Sequence, residues 1–201
     1  MRVVVVGATG TIGRAVVEAL SPRHEIVAVS RRSAPLAVDI ARPSTIRAFY
    51  EAVGPFDALV SVAGEAKFAP FDRLGDSDYE FSVGSKLMGQ VNLVRFGFPR
   101  VRDGGSFTLT SGILARMPMP GSAAISLVNS GIEGFSRAAA LEAPRGIRVN
   151  VVSPPWVTET LEAMGMDPSP GMRAASLARF YAQSVEGSQT GAVLEAAEPA
   201  R

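Results

Sequence analysis

The chain has 201 residues and a formal net charge of +1, long enough for one substantial core and without the charge excess that draws proteins to nucleic acid or acidic membranes. It has no cysteine and one histidine, His24, which rules out a disulfide framework or a thiolate zinc site and argues against a histidine-based metal site or catalytic triad. No apolar run reaches transmembrane length and the first residues are too few for a signal peptide, so the expectation is one cytoplasmic domain over 1–201, with no membrane, nucleic-acid or metal partner.

The chain opens on an unbroken β-branched run, Val3-Val4-Val5-Val6, followed by Gly7-Ala8-Thr9-Gly10-Thr11-Ile12-Gly13 and then by helical spacing from Arg14 to Leu20. A strand buried on both faces reads as continuous hydrophobics. The glycines permit a tight turn and close approach of a ligand to the backbone, and the helix N-terminus offers free N–H groups to a phosphate. Strand, glycine turn and helix in that order predict a dinucleotide site on a Rossmann-type, doubly wound parallel α/β sheet of about seven strands. The second strand, residues 25–29, ends in Ser30-Arg31-Arg32-Ser33. An acidic residue there would suit a ribose 2′-hydroxyl, whereas guanidinium groups suit a 2′-phosphate, so the expected cofactor is NADP(H).

A short third strand is predicted over 36–40, too close to the second for a crossover helix. A helix follows from Pro43 to Val53 and is broken by Gly54-Pro55. Residues 57–62 read as a fourth strand running into Ala63-Gly64, which again faces the ligand crevice. A long helix is predicted over 76–95, with Ser77 or Asp78 placed to cap it and Lys86 within it. Gly104-Gly105 turns into a fifth strand over 106–111, which ends in hydroxyls at Ser111. An Ala- and Gly-rich helix spans 122–143, and a sixth strand spans 147–152 before Ser153-Pro154-Pro155. Residues 159–184, mixed in pattern and rich in Pro and Met, are where a substrate lid would sit in such a fold; a last strand covers 192–196.

This order of motifs resembles the short-chain dehydrogenase/reductase family over essentially the whole chain. Gly7, Gly10 and Gly13 resemble its glycine motif, and Ser61-Val62-Ala63-Gly64 resembles its Asn-Asn-Ala-Gly turn without the asparagines. Gly146-Ile147-Arg148-Val149-Asn150-Val151-Val152-Ser153-Pro154 resembles its sixth-strand signature. The resemblance implies cofactor contacts at Gly7, Thr9, Gly10, Thr11, Ile12, Gly13, Ser30, Arg31, Arg32, Asp39, Ile40, Ala63, Gly64, Pro154, Val157 and Thr158. Asp39 and Ile40 would lie by the adenine, and Pro154, Val157 and Thr158 by the nicotinamide and diphosphate. It also implies an active-site serine at Ser111, and a homodimer or homotetramer built on the two long helices.

The departure lies in the catalytic helix. The family's Tyr-x-x-x-Lys pair falls on Ile125 and Asn129, and no Tyr or Lys occurs between Ser111 and Glu142. The family's helix asparagine falls on Lys86, which with Lys67 makes up the lysine content of the chain. Lys86 is therefore a candidate to occupy the space of the missing lysine, to pair with Ser111, and to polarise or protonate a carbonyl. Two functions follow as alternatives. One is an oxidoreductase acting on a small carbonyl, quinone or alcohol by a non-standard site. The other is a catalytically inactive NADP(H)-binding sensor, and a purely structural role is a third.

Overall fold

The computed structural model describes residues 1–32 and 36–197. Ser33 lies outside the described residues. The sheet has seven parallel strands in the order β3-β2-β1-β4-β5-β6-β7. The strands are β1 (Arg2–Val6), β2 (Glu25–Ser30), β3 (Leu36–Ala37), β4 (Phe56–Ser61), β5 (Val101–Thr110), β6 (Arg148–Ser153) and β7 (Val193–Glu195). The helices are α1 (Thr11–Leu20), α2 (Pro43–Val53), α3 (Asp76–Ser82), α4 (Met88–Gly97), α5 (Ala123–Glu142), α6 (Thr158–Ala163) and α7 (Ala174–Glu186).

The valine run of β1 explains itself in this arrangement. Val4 and Val6 enter one core with α2, α4 and α5, and Val3 and Val5 enter the other with α1 and α7. Alternate side chains leave a strand on opposite faces, so a central strand between two helical layers needs apolar residues at every position. The chain reverses from the β2 side of β1 to the β4 side, and the crevice at the carboxyl ends of those strands is where such sheets bind ligands.

Several predicted elements are re-cut by tertiary contacts. The third strand is two residues long rather than five. It pairs with β2 at Val29 with Leu36 and Ser30 with Ala37, and the chain then turns inward to bury Val38 and Ile40. The fifth strand starts earlier, at Val101, and takes Gly104-Gly105 into the strand through an irregular register with β4 between Phe56 and Ala58. A Cβ at Gly105 would lie 2.5 Å from the Asp57 carbonyl oxygen, so the glycine here serves close strand packing rather than a turn.

The long helix begins after Gly75, with neither Ser77 nor Asp78 as its capping residue. Instead the Asp78 side chain, one turn in, accepts the Gly75 N–H at 3.1 Å. The same helix is interrupted by a π-helical turn, Val83–Leu87. Such turns insert one extra residue per helical turn and rotate side chains out of α-register. Here it carries Ser85 and Lys86.

The stretch 159–184 is not a lid throughout. Its C-terminal part is α7, whose Leu177, Ala178, Tyr181 and Val185 are buried in the second core. Tyr181 also joins a polar knot with Thr110, whose hydroxyl lies 2.9 Å from the Tyr181 hydroxyl and donates to the Ser61 carbonyl at 2.6 Å. A helix tied to β4 and β5 in this way moves with the core. The exposed excursion is confined to residues 162–170.

Candidate active site

Two depressions meet at the carboxyl ends of the strands. A groove of about 330 Å³ is lined by Gly7, Thr9 and Gly10 of the first turn, by Ser30, Arg31, Asp39 and Ile40, and by Ala63, Gly64, Glu65 and Ser85. A cavity of about 280 Å³ is lined by Ile12, Lys86, Ser111, Ile125, Asn129 and Trp156, with Pro154 and Val157 at one side. Val62, Ala63 and Gly64 line both, so the two form one continuous crevice.

The groove has the build of a backbone-lined anion and nucleoside site. Gly7 has φ +92°, and a Cβ there would lie 3.0 Å from the Val62 carbonyl carbon. A Cβ at Gly13 would lie 2.0 Å from the Gly7 carbonyl oxygen, so this glycine sets the contact between α1 and the turn. Thr11 begins α1 and does not line the groove; Ile12 faces the cavity. Thr158 begins α6, buried, and leaves the cavity to Thr160. Arg32 is exposed outside the groove and has no ion-pair partner among the described residues.

Arg31 forms an ion pair with Glu65 at 3.3 Å, both half-exposed. Glu65 was not among the residues expected from the sequence. Its backbone N–H donates to the Ser85 hydroxyl at 3.1 Å, and the Lys67 N–H donates to the Ser82 hydroxyl at 3.0 Å. The helix carrying the π-turn therefore fixes the loop after β4 and holds a carboxylate across the groove from β2.

Lys86, Ser111, Ile125 and Asn129 line the same cavity. Gly64, at φ +116°, lets this happen: a Cβ there would lie 2.9 Å from the Lys86 Cα and 3.2 Å from its Cγ. Lys86 has no hydrogen-bond or ion-pair partner among the described residues and is the one ionisable side chain in the cavity wall. Burial pulls its pKa from 10.5 down to about 8, because removal from water penalises the charged form.

Ser111 does not pair with Lys86. Its buried hydroxyl donates to Glu133 Oε1 at 3.0 Å. Glu133 is itself buried, with Arg116 at 3.3 Å and Arg137 at 3.9 Å, and Arg116 also pairs with Glu195. The Ser111 proton is thus committed away from the cavity, and the oxygen offers its lone pairs inward. Ile125, Asn129 and Glu133 are spaced four residues apart on α5 and share one face. Continuing the missing pair's spacing by one more turn is the signal that finds Glu133 in the sequence. The Asn129 amide reaches the Gly112 carbonyl at 3.5 Å, while its Oδ1 is buried without a partner.

A family model described as enoyl-(acyl carrier protein) reductase matches residues 3–193. The chain belongs to the short-chain dehydrogenase/reductase family. The chain is 38% identical to the protein lin1944 from Listeria innocua, with a TM-score of 0.92 over 97% of this chain and 98% of that one. It is 26% identical to a small-chain dehydrogenase solved in complex with NADPH, with a TM-score of 0.86 over 98% of this chain and 96% of that one. Among curated proteins, it is 30% identical to a hydroxynaphthalene reductase-like protein of Metarhizium brunneum over 65% of this chain and 51% of that protein. It thus spans about half the length of that relative.

Proposed function

We propose that this family member is an NADP(H)-dependent oxidoreductase acting on a small carbonyl, quinone or alcohol substrate, with Lys86 as proton donor in place of the family's tyrosine and lysine. The observation that carries the proposal is that Lys86, without an ion-pair or hydrogen-bond partner among the described residues, lines a cavity that shares Val62, Ala63 and Gly64 with the glycine-lined groove. Gly7, Thr9 and Gly10 would hold the diphosphate. Asp39 and Ile40 would lie by the adenine, Ser30 and Arg31 by the ribose and its phosphate, with Arg32 adding positive charge from outside. Pro154 and Val157 would bound the nicotinamide. A family member of similar fold solved with NADPH supports that cofactor.

Bound there, the cofactor supplies or accepts a hydride. On reduction of a carbonyl, negative charge develops on the substrate oxygen and a proton must follow. Ile125 has none to give, and the Ser111 hydroxyl donates its hydrogen bond to Glu133. The Lys86 ammonium can donate, and its pKa of about 8 places it near working pH, where a general acid is most effective. The Ser111 lone pairs then receive the new O–H. The Trp156 ring in the wall, 6.5 Å from the Phe68 ring, suits a flat apolar substrate. Relatives named as hydroxynaphthalene reductases make aromatic ketones and quinones the first compounds to try.

The test is NADPH oxidation across a panel of aldehydes, ketones, quinones and activated alkenes. Turnover of any member supports the proposal. Tight NADPH binding with no turnover across the panel would instead make the chain a cofactor sensor. For the active case, carbonyl reduction should be level below about pH 8 and fall tenfold per pH unit above it, as the ammonium is lost. A pH–rate profile checks this, and the limb should vanish in Lys86→Met. We further propose a homodimer through α5 and the helix before it, where Phe81, Leu127 and Leu141 are exposed. Gel filtration with light scattering should give twice the chain mass; the mass of one chain would contradict it.

A further inference from the structure

We propose that Lys86 is also a nucleophile, and that its amine forms a Schiff base with an aldehyde or ketone carbonyl bound in the cavity. Three observations place a reactive amine there. Lys86 has no charge partner among the described residues, whereas Lys67 is ion-paired with Asp78 at 4.0 Å and lies beside the Phe81 ring. The Lys86 stem is held against Gly64, and the π-turn Val83–Leu87 sets its direction. The walls around it, from Ile12, Val62, Leu114, Ile125 and Trp156, are apolar, the environment that favours neutral over charged amine.

The polar groups opposite suit the intermediates. The amine nitrogen adds its lone pair to the carbonyl carbon, the carbonyl π electrons move to oxygen, and one proton passes from nitrogen to that oxygen. The carbinolamine so formed has an O–H and an N–H to donate. Ser111 Oγ accepts from the first, because its own proton is held by Glu133. Loss of one water then gives the C=N bond, with no change of oxidation state. Water reverses the sequence and frees the carbonyl compound.

This reaction goes beyond the oxidoreductase reading and needs no dinucleotide, so the two fail separately. The burial of Lys86 strengthens the expectation, since a pKa of about 8 leaves about a quarter of the amine neutral at pH 7.5, against about one part in a thousand for an ordinary lysine. The experiment is treatment of the full chain with benzaldehyde and sodium cyanoborohydride at pH 7.5, without nucleotide. Intact-mass and peptide-mapping spectrometry then read the sites of benzylation. Apart from the chain's α-amine, which any such reagent labels, the expected result is one lysine adduct, at Lys86, formed at least about tenfold faster than at Lys67, and lost in Lys86→Arg. Labelling of Lys67 as fast as Lys86, or lysine labelling in the arginine variant at the wild-type Lys86 rate, overturns the proposal. The comparison of the two lysines is made within the wild-type protein, so it holds even where the variant folds poorly.

Discussion

Lys86→Met is expected to lower carbonyl reduction at least about 100-fold while leaving NADPH affinity within about twofold. General acids contribute about 10²–10⁴ to rate, and no second ionisable side chain lines the cavity to replace this one. Initial rates at 340 nm and a calorimetric titration with NADPH separate the two quantities. A rate loss below about fivefold would place the proton source elsewhere, in water or at the substrate itself.

The same variant should fold more stably, which guards against reading inactivity as unfolding. The folded-state pKa of Lys86 is lowered from 10.5 to about 8, so unfolding takes up a proton between those pH values. Above pH 10.5 the amine is neutral in both states and the burden is nil. As the pH falls from 10.5 to 8 the penalty on the folded state grows, and below 8 it holds its full value because both states carry the proton. Methionine, of similar length and without charge, removes it. At pH 7 the gain should be about 1–3 kcal/mol, the full shift being discounted because Lys86 is half-buried. For a chain of this size that raises Tm by about 2–4 °C per kcal/mol. Calorimetry at pH 7 and pH 10.5 should show the gain at the first and little at the second.

The second large effect concerns the cofactor. Arg31→Ala with Arg32→Ala should raise the NADPH Kd about 10–100-fold and change the NADH Kd less than about twofold. Charge-assisted hydrogen bonds to a phosphate contribute about 1.5–3 kcal/mol, and NADH has no 2′-phosphate to lose them. Arg31 lines the groove, while Arg32 stands outside it, so most of the loss should follow Arg31. The Arg31–Glu65 pair refines the expectation. A 2′-phosphate arriving at Arg31 meets the Glu65 carboxylate already there. Glu65→Gln should therefore tighten NADPH binding a few-fold, an exposed pair being worth about 0–1 kcal/mol. Equal effects on both nucleotides would remove the 2′-phosphate from this end of the groove.

These residues show what can and cannot be read from a sequence. The first turn is legible because its reasons are local: four valines for a strand buried on both faces, then glycines where Val62 and Gly7 leave no room for a side chain. The loss of the Tyr-x-x-x-Lys pair is equally plain, since residue identity alone decides it. The meeting of Lys86 with Ser111 and Asn129 follows once the family order of elements is known, because topology sets it. The π-turn beneath Lys86 has no such signature; it arises where the helix must fit both Gly64 and the loop after β4. The third strand ends sooner than its pattern suggests, because Val38 and Ile40 have the character of strand residues but are buried by turning into the core. Glu65 was missed because its partner is 34 positions away across the groove, a contact that only the fold creates. Glu133 was within reach, as a carboxylate on the buried face of α5 in line with Ile125 and Asn129. It also takes the Ser111 hydroxyl hydrogen bond, so that Ser111 is paired with Glu133 and not with Lys86.

Lys86 lines the crevice without a charge partner among the described residues, and burial lowers its pKa to about 8. The most direct measurement is a pH titration of the lysine side-chain NMR signals in protein labelled at the lysine ε-carbon. The chain has two lysines, so Lys86→Met assigns the Lys86 signal by its disappearance. The expected midpoint for that signal is near pH 8. A midpoint above pH 10 would mean a lysine in contact with bulk water and would contradict both the proton-donor and the Schiff-base roles.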